Sequence, residues 1–364
     1  MKTDKIQLKR ILIMAGGTGG HIFPGLAIAH CLQAQGVEVH WLGTSQGLES
    51  RLVKEEGYPL HVITIGGLRG KGMKTLLTAP WKILLALRQA MQIIKQVRPD
   101  AVIGMGGFAS GPGGIASWLL GRPLIIHEQN AKAGLTNKIL AFFSKKILEG
   151  FPSAFKPSAK VITVGNPVRA EIANILAPEK RFAEHHPPLR LLVLGGSLGA
   201  QVLNEIVPQV LAQLKANERP EVWHQTGNKH FELAKKQYES MGLTVNLHPF
   251  IKDMSQAYAW ADIVLCRAGA STVSELCAAG LGAIFVPFPH AVDDHQTANA
   301  EFMVRGGAAL CIQQRELTEG QLAVIVKGFV YERQKCRDMA QAAYQLRKAN
   351  VAERIVEICE ELSL

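Results

Sequence analysis

Short apolar runs alternate along the chain with longer segments whose apolar residues recur at helical spacing. The strand-like runs in the first half are LKRILIMAG, VEVHWLGT, YPLHVITIG, AVIGMGG, PLIIHEQ and KVITVGN. Such an alternation predicts a mostly parallel sheet that is covered by helices.

The same design begins again near the middle of the chain. LRLLVLGGSLGAQVLNEIV (189–207) repeats the order of ILIMAGGTGGHIFPGLAIA (11–29), which is an apolar strand, a glycine turn and a helix. We therefore predict an α/β protein with two doubly wound, Rossmann-like parallel-sheet domains and a cleft between them. The first domain is placed at 8–168 and the second at 169–347, and the amphipathic C-terminal helix, 348–364, is expected to pack back on the first.

Three glycine loops follow predicted strands, at 16–20, 106–114 and 195–199. AGGTGGH and GGSLG do not match GxGxxG, and GK[ST] is missing, which disfavours dinucleotide dehydrogenases and P-loop enzymes. Helix N-termini still offer unpaired amides, and glycines let a phosphate approach them closely. Three loops at strand ends favour anion binding, although a tight turn without a ligand remains the alternative for any one of them.

Charge is distributed unevenly between the two halves. Residues 1–169 carry 21 of the 40 basic and 8 of the 30 acidic side chains, so the excess of positive charge lies in the first half. This excess predicts a polyanionic partner. We expect an anionic membrane surface and no nucleic acid, because zinc-finger spacing and aromatic–basic RNA signatures are missing. The six cysteines are scattered without CxxC, which indicates reduced thiols in a cytoplasmic protein and no metal site.

Two segments bear on how the chain meets a membrane. The uncharged run 101–121 reaches transmembrane length, but its glycines and proline indicate a strand, a loop and a helix. The segment 66–98 mixes apolar residues with cations and contains Pro80, which predicts binding at the membrane interface. A core-facing helix behind a basic loop is the alternative, because Leu84, Leu87, Met91 and Ile94 have core-like spacing.

Several blocks, in order, resemble the MurG family of membrane-associated N-acetylglucosaminyltransferases of peptidoglycan synthesis. They are GGTGGHIFPGLAIA, GMGGFASGPGGIA, HEQNAKAGLTNK, GNPVR, GGSLGA, CRAGASTVSEL and PFPHAVDDHQTANA, and together they span nearly the whole chain. The resemblance implies a GT-B fold. It also implies inverting transfer of N-acetylglucosamine from UDP-GlcNAc to the C4 hydroxyl of MurNAc in lipid I, giving lipid II and UDP.

The resemblance further implies a peripheral protein on the cytoplasmic face of the bacterial inner membrane, with a part in cell-wall synthesis, cell shape and cell division. Its expected partners are UDP-GlcNAc, lipid I, the anionic membrane surface and a cell-wall synthesis or division complex. The chain has no Asp-x-Asp sequence to hold a metal on the departing diphosphate. We therefore expect no required cofactor, with Mg²⁺ only as a stimulant, and stabilisation of the diphosphate by amides, helix dipoles and a cation.

The resemblance assigns donor binding to residues in both halves of the chain. They are Thr18, Gly19, Gly20, Asn130, Arg169, Ser197, Ile251, Ala270, Ser271, Thr272, Val273, Ser274, Glu275 and Gln296. In that assignment Arg169 and Ser197 meet the diphosphate, Ile251 meets uracil, and Glu275 accepts both ribose hydroxyls. Structural alternatives are a helix cap for Asn130, a turn for Ser197, an ion pair for Arg169 and a helix-dipole contact for Glu275.

Asn130 and Gln296 are assigned to the sugar. Acceptor and membrane contacts are assigned to Gly106, Gly107, Ser110, Gly111, Lys71, Lys74, Trp81 and Lys82. An inverting transfer needs a base for the acceptor hydroxyl, for which His21 is the first candidate and Glu128 the competitor. His21 could instead only orient the first loop. Two other functions stay open, a UDP-sugar 2-epimerase of similar fold and a non-catalytic nucleotide-sugar binding protein.

Overall fold

The structure, a computed structural model, describes residues 8–66, 73–196 and 199–362, and at 73–77 and 292 it describes the backbone alone. The chain divides into two compact units. Unit 1 is Met1–Pro167 with Asn350–Leu364, and unit 2 is Val168–Ala349.

The described part of unit 1 contains a seven-stranded parallel sheet. Its strands are β1 Arg10–Met14, β2 Glu38–Gly43, β3 Leu60–Val62, β4 Ala101–Gly104, β5 Leu124–Glu128, β6 Lys146–Glu149 and β7 Val161–Thr163, in the order β3-β2-β1-β4-β5-β6-β7. Its helices are α1 Gly19–Ala34, α2 Glu49–Glu55, α3 Met73–Val97, α4 Ser110–Leu119, α5 Leu135–Leu140 and, at the C-terminal end of the chain, α15 Val351–Leu362.

Helices cover both faces of this sheet, so its strands are apolar on both sides. Ile11 and Ile13 of β1 point to the layer that contains α1 and α15, where they share a core with Ile355. Leu12 and Met14 point to the opposite layer, which contains α3 and α4. The two-residue period of a strand thus explains why β1 reads as an unbroken apolar run.

Unit 2 repeats the design with a six-stranded parallel sheet in its described part. Its strands are β8 Arg190–Leu194, β9 Glu221–Gln225, β10 Asn246–His248, β11 Ile263–Cys266, β12 Gly282–Phe285 and β13 Ala309–Cys311, in the order β10-β9-β8-β11-β12-β13. Its helices are α6 Ala170–Ala173, α7 Pro178–Glu184, α8 Gln201–Gln213, α9 Phe231–Ser240, α10 Met254–Trp260, α11 Ala270–Ala279, α12 His295–Arg305, α13 Glu319–Tyr331 and α14 Arg333–Leu346. The predicted pair of doubly wound α/β domains is confirmed.

The run 101–121 forms β4, a loop and α4, as its glycines predicted. Within the described ranges, no helix is both long enough and apolar enough to cross a bilayer. The alternative of a core-facing helix is only partly correct for α3. Ala86, Ala90 and Ile94 are buried against the sheet, whereas Leu84 is 56% exposed. The alternative that places Leu84 in the core is therefore wrong, because the packed part of α3 begins after residue 85.

Strand order reverses between β1 and β4 in unit 1 and between β8 and β11 in unit 2. Ligands of open α/β sheets bind at such switch points, at the carboxyl ends of the strands. The helices that follow these four strands are α1, α4, α8 and α11, and the residue that precedes each of them gives no side-chain cap to its first turn. Asp253 and Thr318 cap α10 and α13, which follow the outermost strands of unit 2, whereas α9 and α12 lack such a cap although they lie away from the switch point. The switch points therefore offer uncapped helix N-termini to an anion.

Candidate functional site

The first glycine loop connects β1 to α1 in unit 1. Gly17 adopts a left-handed backbone with φ 94°, and Thr18 is the extended residue that precedes the helix. A Cβ atom on Gly107 would overlap the carbonyl oxygen of Gly16, so the first and second loops touch backbone to backbone. Only glycine at position 107 permits this contact. The donor candidates Gly19 and Gly20 open α1 and are partly exposed.

A buried carboxylate that the sequence did not reveal supports the first loop. Glu49, at the start of α2, is fully buried and accepts a hydrogen bond from the Gly17 amide at 3.1 Å. It also accepts from the Thr44 amide and the Thr44 hydroxyl, at 2.9 and 2.7 Å. A Cβ atom on Gly16 or Gly43 would come within 2.7 Å of this side chain, so these glycines make room for it. Glu49 therefore stabilises the first loop by accepting a hydrogen bond from the Gly17 amide.

His21 lies in the first turn of α1, and its side chain is partly exposed. Its imidazole faces the second loop, because a Cβ atom on Gly106 would be 3.3 Å from His21 Nε2. Gly106 has φ 95°, and the Ser110 hydroxyl can donate to the carbonyl oxygens of Gly106 and Met14, at 2.7 and 2.8 Å. The Ser110 side chain is fully buried and fixes the second loop, and its contact with the acceptor substrate stays a prediction. Gly111, one residue later, is partly exposed.

Glu128 ends β5 and is almost completely buried. Its carboxylate accepts hydrogen bonds from the Asn130 amide at 3.0 Å, the Gly134 amide at 3.0 Å, the Asn130 side chain at 3.1 Å and the Asn137 side chain at 2.9 Å. Four donors occupy the acceptor positions that a carboxylate offers. This arrangement holds Asn130 in place at the strand end and disfavours Glu128 as a proton acceptor.

The other polar residues of this strand end anchor it to the chain before unit 2. His127 Nε2 lies 2.9 Å from the Gly165 carbonyl oxygen, and Gln129 Nε2 lies 3.0 Å from His127 Nδ1. Burial lowers the pKa of His127, which favours a neutral ring with one donor and one acceptor nitrogen. Asn166 donates to the Gln129 carbonyl oxygen at 3.0 Å. These contacts assign a structural role to His127.

In unit 2 the third glycine loop connects β8 to α8. Gly196 and Gly199 both adopt left-handed conformations, with φ 78° and 79°. A Cβ atom on Gly199 would overlap the Thr226 carbonyl oxygen, so glycine is required there for close packing. Ser197 lies outside the described residues, and its contact with the diphosphate stays a prediction.

An ion pair at the start of α11 joins two of the predicted donor residues. Arg169 Nη2 lies 2.9 Å from Glu275 Oε1, and the Tyr258 hydroxyl donates to Glu275 Oε2 at 3.1 Å. The Glu275 side chain is 15% exposed and Arg169 is 40% exposed. Burial raises the pKa of Glu275, and the Arg169 charge and the hydrogen bonds from Arg169 and Tyr258 lower it in part. The alternative of an ion pair for Arg169 is thus realised, although its exposed guanidinium can still meet an anion.

The remainder of the first turn of α11 presents short side chains. Ala270 and Val273 are buried, whereas Ser271, Thr272 and Ser274 are partly exposed. Gly269, which precedes the helix, is extended and leaves the backbone amides of this turn open to a phosphate.

Two further donor candidates differ in which atoms they present. Ile251 is only 4% exposed, so its side chain belongs to the core and contact with uracil would have to use its backbone. Gln296 Oε1 accepts a hydrogen bond from the Phe288 amide at 2.9 Å, which orients the side-chain amide nitrogen as a donor. Arg267, which the sequence did not single out, supports the loop after β12 by donating to the Val286 and Pro287 carbonyl oxygens at 2.8 and 3.1 Å.

The predicted membrane segment lies at the N-terminal part of α3. Trp81 is 75% exposed, and Ile83, Leu84 and Leu85 are exposed beside it, as is Lys82. Lys71 lies outside the described residues, and Lys74 belongs to the stretch whose side chains are not described. The described part of α3 therefore presents an apolar patch on the surface of unit 1.

Both units match one protein family. Residues 11–149 match the glycosyltransferase family 28 N-terminal domain, and residues 190–355 match the family's C-terminal domain. A relative from Marinobacter nauticus, named UDP-N-acetylglucosamine–N-acetylmuramyl-(pentapeptide) pyrophosphoryl-undecaprenol N-acetylglucosamine transferase, is 53% identical over 97% of this chain and 97% of its own.

Solved structures give the same result for the fold. The crystal structure of Acinetobacter baumannii MurG has a TM-score of 0.85 and 42% identity, over 97% of this chain and 99% of that one. A UDP-GlcNAc 2-epimerase from Neisseria meningitidis has a TM-score of 0.66 over 96% and 99% of the two chains. Its identity is 11%, so that similarity extends to the fold alone.

Proposed function

The chain belongs to glycosyltransferase family 28, and we infer from this membership that it transfers N-acetylglucosamine from UDP-GlcNAc to lipid I, giving lipid II in peptidoglycan synthesis. The observation that carries the assignment is the 53% identity to the Marinobacter nauticus N-acetylglucosamine transferase over nearly the full length of both chains. The GT-B fold and the uncapped helices at both switch points agree with a nucleotide-sugar substrate.

The chemistry that we propose is a single displacement at the anomeric carbon. The C4 oxygen of the MurNAc sugar forms the new bond as its proton passes to a base, and the bond to UDP breaks on the opposite face. The product linkage is β and the second product is UDP. Such a step needs a positioned base and a site that stabilises the charge on the leaving diphosphate.

His21 is our candidate for the base. Its imidazole is partly exposed beside Gly106, at the N-terminus of α1, where a substrate can reach it. Glu128 is the weaker candidate because four hydrogen-bond donors already surround its buried carboxylate. Glu128 then acts by positioning Asn130, which is proposed to contact the sugar.

Unit 2 holds the donor in this proposal. Glu275 accepts the ribose hydroxyls with the acceptor positions that Arg169 and Tyr258 leave unused, and Arg169 supplies a cation for the diphosphate. Amides at the start of α11 and α8 add to this stabilisation. We propose that these groups suffice without a required metal, and that Mg²⁺ only stimulates.

A radiolabel-transfer assay tests the function directly. The protein is incubated with UDP-[¹⁴C]GlcNAc and a short-chain lipid I analogue, and the lipid and nucleotide products are separated. We expect label in the lipid product and release of one UDP for each sugar transferred. Release of free sugar or an epimer without lipid labelling would favour the epimerase. Tight donor binding without any turnover would favour the binding protein.

We also propose that the protein is peripheral, on the cytoplasmic face of the bacterial inner membrane. The exposed patch of Trp81, Ile83, Leu84 and Leu85 lies in the unit that carries the excess of cations. Apolar side chains beside cations insert at the interface of an anionic bilayer, and each cation near the surface adds about 1 kcal/mol. Contacts with a cell-wall synthesis or division complex belong to the same proposal.

Charge reversal tests the membrane surface. Changing Lys71, Lys74 and Lys82 to Glu is expected to lower binding to anionic liposomes by on the order of a hundredfold, because three attractive charges become repulsive. Sedimentation with phosphatidylglycerol vesicles at several salt concentrations measures the effect, and wild-type binding should weaken as salt rises.

The matched control reverses the same number of charges in unit 2, at the exposed residues Lys229, Lys236 and Lys348. This control variant should bind vesicles far better than the first variant does. Equal vesicle binding by the first variant and the wild type would refute the surface on α3.

A further inference from the structure

Tyr258 is a buried residue of unit 2 that neither the sequence nor the family comparison brought forward. It lies in α10 and is 1% exposed. Its hydroxyl donates to Glu275 Oε2 at 3.1 Å, while Arg169 occupies Glu275 Oε1 at 2.9 Å. Two donors from two different elements therefore hold one carboxylate, one on each oxygen.

The consequence concerns the direction in which Glu275 can accept further hydrogen bonds. A carboxylate offers about four acceptor positions, two on each oxygen. With one position on each oxygen filled, the other two remain for a ligand. Because Tyr258 is packed in the core and cannot move with the ligand, its hydroxyl fixes the rotation of the Glu275 carboxylate about the Cγ–Cδ bond. A group that must meet two neighbouring hydroxyls needs that fixed orientation.

We propose that Tyr258 is a positioning residue that orients the Glu275 carboxylate toward the two ribose hydroxyls of the donor, and thereby makes donor binding selective for ribose over 2′-deoxyribose. This inference rests on the proposed role of Glu275 and deepens it. Tyr258 does not touch the substrate. It acts through Glu275.

The charges around Glu275 also predict a pH effect. The groups that face it are Arg169 and Tyr258; Cys266 acts on Tyr258, and the Arg169 charge also helps to lower the pKa of Asp253. Burial raises the pKa of Tyr258 well above its usual value, so the phenol stays a protonated donor. Burial likewise raises the pKa of Glu275, and the Tyr258 hydrogen bond opposes this rise. Loss of the hydroxyl should therefore raise the pKa of Glu275 further and protonate it at a higher pH.

The variant Tyr258→Phe tests the inference in the full-length protein. Titration calorimetry with UDP and with 2′-deoxy-UDP measures the discrimination between the two sugars without any need for turnover. We expect the affinity for UDP to fall about tenfold, because the 2′-hydroxyl loses its well-oriented hydrogen bond to the Glu275 carboxylate. The affinity for 2′-deoxy-UDP should fall much less, because that nucleotide lacks the 2′-hydroxyl. The acid limb of kcat/KM for UDP-GlcNAc should move to higher pH.

Tyr238→Phe is the matched control. Tyr238 is also buried in unit 2, and its hydroxyl pairs with His224 at 2.8 Å. This control should keep the wild-type ratio of the two affinities and the wild-type acid limb. An equal loss of both affinities in Tyr258→Phe, or an unchanged ratio with an unchanged acid limb, would overturn the inference. So would a wild-type protein that binds UDP and 2′-deoxy-UDP alike.

Two experimental results distinguish a failure of the proposed function from a failure of the proposed role of Tyr258. A wild-type protein that discriminates between the nucleotides but transfers no sugar to lipid I would refute the proposed function and leave the role of Tyr258 standing. A wild-type transferase whose Tyr258→Phe variant keeps full ribose discrimination would refute only the role of Tyr258.

Discussion

Replacing His21 with alanine is expected to lower kcat for transfer to a lipid I analogue by about 10²- to 10⁴-fold, with little change in the KM for UDP-GlcNAc. The imidazole accepts the proton of the acceptor hydroxyl in this account, and donor binding is assigned to other residues. Initial rates at saturating donor and acceptor, together with titration of UDP-GlcNAc, separate the two effects.

His30→Ala is the control for His21, since His30 lies on the same helix and its ring pairs with Glu56 at 3.0 Å. It should retain near-normal turnover. If His21→Ala also turns over within about threefold of wild type, His21 only orients the first glycine loop and the base must be sought elsewhere.

The second large effect is expected from Glu275→Ala, which should weaken UDP-GlcNAc binding by roughly a hundredfold. The variant removes a charged acceptor for two ribose hydroxyls and leaves Arg169 and Tyr258 without their partner. The loss should appear mainly in the KM for the donor. Glu239→Ala, at an exposed position on α9, is the control and should bind the donor normally. Donor affinity within about threefold of wild type in Glu275→Ala would contradict the proposed ribose contact.

The same residue sets a pH dependence. Burial raises the pKa of Glu275, so the carboxylate gains a proton at a higher pH than an ordinary glutamate does. The protonated form loses the ion pair with Arg169 and accepts hydrogen bonds less well. Donor affinity should therefore fall as the pH is lowered through this raised pKa, and Glu275→Gln should remove that dependence.

Local patterns predicted the architecture because central strands are apolar on both faces and stand out in the sequence. β1 and β8, each followed by a glycine turn and a helix, show the repeat most clearly. β6 was not predicted, because it is four residues long and begins with a lysine. Helical spacing alone could not decide between a core-facing and an exposed Leu84, since it does not indicate where along α3 the packed neighbours end.

The candidate site was predictable as a set of segments and not as a set of contacts. The glycine loops and the segment GASTVSE (269–275) at the start of α11 can be recognised in the sequence. The pairing of Arg169 with Glu275 cannot, because it joins residues 106 positions apart. Glu49 and Tyr258 carry no local signal, because a glutamate and a tyrosine in short helices are ordinary. Their roles depend on the folding of distant segments. The same holds for Ser110, whose place in a glycine loop suggested an acceptor contact, although its buried hydroxyl bonds to the backbone.

The most direct test of the account is a crystal structure of the full-length protein with UDP-GlcNAc, because every role proposed for unit 2 depends on where the donor binds. We expect the ribose hydroxyls on the Glu275 carboxylate, the uracil at the Ile251 backbone and the diphosphate at the start of α11. Donor density that leaves Glu275 and the first turn of α11 without contacts would contradict it.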